Sequence, residues 1–152
     1  MADYVVEIGI RADGAWDGMR LEQLSSVAGR SRLSGWPASS ARTLRLCFAT
    51  GETIQETAID AEVASRLTEQ QALTRFMARL RSGHELDRAL EDALGAEDVL
   101  RHAVEMSHVF AQNVDRALVD EVIDASSDAL GIALPAAIHS RVRARLIAKC
   151  DR

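Results

Sequence analysis

The feature that most limits how this chain can fold is a change of hydrophobic period at Asp60. Before it, Tyr4, Val6, Ile8 and Ile10 alternate with Val5, Glu7, Gly9 and Arg11, and Leu44, Leu46 and Phe48 alternate with Arg45 and Cys47. A period of two puts every second side chain on one face of a strand. After Asp60 the apolar positions recur every three or four residues to the end of the chain, as amphipathic helices require. Strands first and helices afterwards predict an α+β fold, a small N-terminal antiparallel sheet followed by a four- to five-helix bundle.

The N-terminal unit, residues 1–60, reads as β-α-β-β. A strand over 4–11 leads into the turn ADGAWDG. Asp17 is then placed to cap a helix over 18–28, where Leu21, Leu24, Val27 and Ala28 recur and Gly29 ends the run. RSRLSGWPASSAR reads as a loop. The strand Thr43–Ala49, the turn Thr50-Gly51-Glu52 and the stretch TIQETAI form an antiparallel hairpin. A sheet this small is not stable alone, so the two units, 1–60 and 61–152, are expected to pack as one domain.

In the helical unit, Asp60 is the N-cap of a helix over 61–81, with Val63, Leu67, Leu73, Phe76, Met77 and Leu80 on its buried side. Gly83 interrupts, a second helix covers 84–94, and Gly95 stands at its C-terminal left-handed position. Between Glu97 and Ala129 the apolar stripe is nearly continuous. A break at Gln112-Asn113, with Asn113 as cap, is the preferred reading. As one helix, this stretch would be on the order of 50 Å long at about 1.5 Å per residue and would call for a homodimer to cover it. Pro135 opens a last helix reaching Lys149.

Composition narrows the class. A 47% apolar and 27% charged chain with no long apolar run is that of a globular protein without a membrane span. The acidic residue at position 3 and the missing basic flank argue against a secretory signal. Cys47 and Cys150 lie far apart with no metal-binding spacing, so a reducing cytosol is the expected compartment. Every basic residue except Lys149 is arginine and alanine is abundant, a bias of GC-rich bacterial genomes.

Chemistry-bearing patterns are few. RHAVEMSH places His102, Glu105 and His108 within eight residues. On a helix they spread over about 120° at about 100° per residue, away from the side made by Leu100, Ala103 and Val104. This predicts a wet helix face and no metal, because the Glu-x-x-His motif of di-iron bundles comes in pairs and points inward. Gly83-His84-Glu85-Leu86 resembles the phospho-accepting box of sensor histidine kinases for a few residues and departs from it at Asp87-Arg88-Ala89. A capping box, Ser82-x-x-Glu85, accounts for it locally. No catalytic, cofactor or metal residues are assigned.

Charge is segregated. Between Glu85 and Asp128 twelve acidic residues face three basic ones, and the last helix inverts this with Arg141, Arg143, Arg145, Lys149 and Arg152 against Asp151. The basic helix either meets an external partner or lies across the protein's own acidic helices. Trp16 and Trp36 flank the first predicted helix, as partner anchors or as covers of a core edge. The expected function is a non-enzymatic cytosolic protein-interaction module (adaptor, chaperone or regulatory domain) whose candidate partner-binding residues are Trp16, Trp36, Arg141, Arg143, Arg145 and Lys149. A nucleic-acid-associated regulator using the basic helix is the alternative, weakened by the net charge of −5. An enzyme or phosphotransfer protein assembled from distant residues is a third reading.

Overall fold

The computed structural model describes residues 4–110 and 118–150. Alternation at the N-terminus produces β1 (Tyr4–Ala12), which turns back on itself as β2 (Ala15–Arg20). The connection is Asp13-Gly14, with φ of 52° and 79°. Two consecutive left-handed residues are what a two-residue type I′ hairpin needs, and Asp-Gly is a favoured pair for it. The expected turn and helix over 12–28 are thereby corrected: the order is β-β-α-β-β. A 3-10 turn (Leu21–Ser25) follows β2, and the helix α1 (Val27–Gly35) begins only at the end of the expected helix and runs on into the segment read as loop. Ser26, not Asp17, is its N-cap, accepting from the Gly29 amide at 3.0 Å. Gly29 lies inside this helix, at a site where a Cβ would collide with the Gln23 carbonyl and only glycine fits.

β3 (Arg42–Phe48) and β4 (Thr53–Ile59) form the expected hairpin, and the four strands pair antiparallel in the order β2-β1-β3-β4. Register puts Ile8 between Met19 and Leu44 and Val6 beside Leu46, all of them buried. The opposite side carries Glu7, Gly9, Arg11, Trp16, Arg45 and Glu56. A bulge interrupts the β3 and β4 register between Leu46 and Cys47.

The single helix expected over 61–81 is two, α2 (Ala61–Arg66) and α3 (Gln70–Arg81). Asp60 caps α2 as the spacing predicts, accepting from the Val63 amide at 2.8 Å. The break comes where Glu69 is extended and the Thr68 hydroxyl donates to the Ser65 carbonyl at 2.6 Å. α3 closes in a Schellman motif: Gly83 has φ of 88°, its amide bonds the Leu80 carbonyl, and the His84 amide bonds that of Arg79.

The capping box expected at 82–85 is absent. The Ser82 hydroxyl donates back to Ala78, and the first amide of α4 (Leu86–Ala93) is held instead by the Gln55 side chain of β4 at 2.8 Å. Gly95, with φ of 89°, ends α4 in the left-handed conformation and takes Ile132 against its open side. α5 (Ala96–Phe110), α6 (Val119–Leu130) and α7 (Ala136–Cys150) complete the chain. The supposed break at Gln112-Asn113 lies outside the described residues. Six helices, α2 to α7, thus follow the sheet among the described residues, where four or five were expected.

The chain divides into two compact units, up to Ala89 and from Leu90, with the division inside α4. In the second unit α5, α6 and α7 pack on one another. Val99, Leu100 and Ala103 of α5, Val119 and Ile123 of α6, and Ile138, Val142 and Leu146 of α7 are buried. No helix among the described residues is long and apolar enough to cross a membrane.

Candidate functional site

The spacing of Ile138, Val142 and Leu146 fixes which side of α7 is buried, and so turns its polar residues toward the flanks, where α5 and α6 present acids. Arg143 pairs with Asp120 of α6 at 3.2 Å. Arg145 grips Glu97 of α5 with both terminal nitrogens, at 2.6 and 3.4 Å, and lies 4.0 Å from Glu91 at the end of α4. Glu91 is buried, so this cation stands beside a carboxylate with little access to water. His139 extends the pattern, with Nε2 at 3.3 Å from Asp124. Arg141 is half-buried on the same helix. The basic helix therefore lies across the protein's own acidic helices, the second of the two arrangements considered above.

Lys149 is different. It is exposed, has no ion-pair partner among the described residues, and lines a groove of about 360 Å³ between α5 and α7. Leu100 and Val104 supply its apolar surface, the Glu97 and Arg145 pair one wall, and Arg101 and Glu105 further charges. Carbon flanked by charges of both signs, with no hydroxyl, thiol or imidazole among the described lining side chains, is equipped to hold a ligand by shape and charge.

A second hollow of about 380 Å³ lies where α6 gives way to α7, lined by Asp124, Ser127, Asp128, Ile132, Leu134 and His139. There the imidazole is engaged by Asp124, and the Ser127 hydroxyl makes no hydrogen bond to it. Among the described residues no three His, Cys, Asp or Glu side chains are gathered as a metal would require.

The histidines of the sequence motifs are dispersed. His102, expected on a wet face, is half-buried, with Nδ1 2.9 Å from Oγ of the fully buried Ser126 on α6. The correction has a simple cause: α5 is flanked by both α6 and α7, so its buried arc is wider than its apolar stripe. Glu105 is exposed, and the side chain of His108 lies outside the described residues. His84 is exposed at the end of α3, with Nδ1 3.2 Å from the Arg79 carbonyl.

Neither tryptophan stands out as a free anchor. Trp36 is only 7% exposed, and its indole N–H donates to Asp17 at 3.0 Å. Arg32 bonds the other carboxylate oxygen, and these two partners, Arg32 foremost, hold the Asp17 carboxyl below the usual carboxylate range. Trp16 lies against Gly9 and Gly18, with the Arg45 guanidinium 4.2 Å from the ring centre and that of Arg11 at 5.6 Å. Arg45 is tied to Glu7, and Arg11 to Glu56. Sequence reading missed this Gly-Trp-Arg stack, although the Asp13-Gly14 pair marks the hairpin that builds it.

Comparisons with protein families, with curated proteins and with solved structures gave no match for this chain.

Proposed function

We propose that this protein is a non-enzymatic, cytosolic interaction module that receives a segment of a protein partner in the groove between α5 and α7. The observation that carries the reading is the contrast along α7: Arg143 and Arg145 are engaged by Asp120 and Glu97, whereas Lys149 stands exposed beside Leu100 and Val104. A phosphate backbone would call for a row of unengaged cations; a peptide needs apolar contact and a few charges to set its register. The buried free thiol of Cys47 fits a reducing compartment.

The test is site-specific photo-crosslinking in the native host with the probe at Glu105, and at Val27, exposed on α1, as the control position. We expect one stoichiometric protein captured at the first position only, and its loss on Lys149→Glu with the circular dichroism unchanged. A product common to both positions, or none at either, would reject the groove. Binding of the purified chain to DNA or RNA with a steep salt dependence would favour the nucleic-acid alternative.

A further inference from the structure

The two edges of the sheet are built differently. β2 carries Asp17 on the side of the buried residues, bonded by Arg32 and Trp36, and an inward charge is one of the devices that keep an edge strand from pairing with another chain. β4 has no proline or lysine, and its one charge, Glu56, is paired with Arg11 at 3.3 Å. Among the described residues no backbone group of β4 bonds any element but β3. Thr53, Ile54, Glu56 and Ala58 are exposed. The outward amides and carbonyls of this strand are thus open to pairing, and the bulge that could deflect a partner lies before Gln55, leaving Gln55–Ile59 in regular register.

We infer that β4 is a dimerisation edge, pairing antiparallel with β4 of a second copy around a two-fold axis at Thr57. The occupant is a second copy because the segment complements itself. The regular stretch is centred on Thr57, so two-fold pairing sets Thr57 against its own copy, Gln55 against Ile59 and Glu56 against Ala58. Threonine pairs across strands are favourable, and this register keeps the two Glu56 carboxylates from standing directly opposite, as an axis at Glu56 would not. The contact is isologous, closes the unguarded edge of each copy, and leaves the guarded β2 edges outermost. It is independent of the helical groove.

Charge at position 58 gives the test a sign. By sedimentation equilibrium of the full chain, we expect a monomer–dimer equilibrium that Ala58→Glu weakens roughly tenfold, since it faces Glu56 of the other copy twice, and that Ala58→Lys strengthens. Val27→Glu, on α1, leaves it unchanged. A chain monomeric at every concentration, a dimer indifferent to both substitutions, or a shift of both in one direction overturns the proposal. Should the variants misfold, hydrogen exchange of the unmodified chain decides: exchange at 55–59 that slows with concentration supports the edge, and exchange independent of concentration rejects it.

Discussion

Gly9 and Gly18 show how much a missing side chain can determine. Paired across β1 and β2, they make the flat floor on which the Trp16 indole rests, and a Cβ at Gly9 would stand 2.5 Å from the Asp17 carbonyl oxygen and 2.6 Å from the Trp16 ring. We expect Gly9→Ala to cost about 1–3 kcal/mol in chemical denaturation, as overpacking does, and to shift the tryptophan emission. Gly35→Ala meets nothing within 4 Å and should leave stability unchanged or slightly raised. Asp17 supplies a pH signature. Its carboxyl is held below the ordinary value of 3.8, so its contribution is present above that pH and is lost as pH falls through the lower folded value. Asp17→Asn should therefore be less stable than the unmodified chain at neutral pH, with the gap closing as the solution is acidified below 3.8. None of this was legible from residue types alone, because Trp16 and Trp36 look alike in a sequence and differ only in what the hairpin brings beneath or beside them.

At the scale of elements, long periodic segments were readable and the joints between them were not. Periodicity marked β1, the β3 and β4 hairpin, α3, α4 and α5, and Asp60, Gly83 and Gly95 marked true ends. The errors arose where a local signal had a competitor. Asp17 resembles a helix cap, but Asp13-Gly14 upstream folds it into β2, where Arg32 and Trp36 claim its carboxylate. Ser82 and Glu85 resemble a capping box, yet Gln55, distant in sequence, reaches the first α4 amide. The competition can be measured. Gln55→Ala should destabilise the protein by about 1 kcal/mol, since it leaves the Leu86 amide without its acceptor, whereas Ser82→Ala should change stability by less than about half that. The reverse order in thermal denaturation would restore the capping box.

Over the whole molecule, charge segregation is in part a statement about internal packing, since Arg143 and Arg145 of α7 are engaged by Asp120 and Glu97. Arg145 stands between Glu97 and the buried Glu91, so Arg145→Met should cost about 1–3 kcal/mol by leaving Glu91 without its cation. Arg143→Met removes a solvent-exposed pair with Asp120 and should cost less than about 0.5 kcal/mol. Equal losses in urea denaturation would contradict that assignment. What the amino-acid order determined by itself was the class of fold, the sheet-then-helices arrangement and most helix axes, because burial periodicity is a property of each segment and survives without its neighbours. Only tertiary structure decided which cations are engaged, which histidine is enclosed, which strand lies at an edge and where a groove opens. Each of those depends on the distance between residues far apart in sequence, and no local pattern carries that distance.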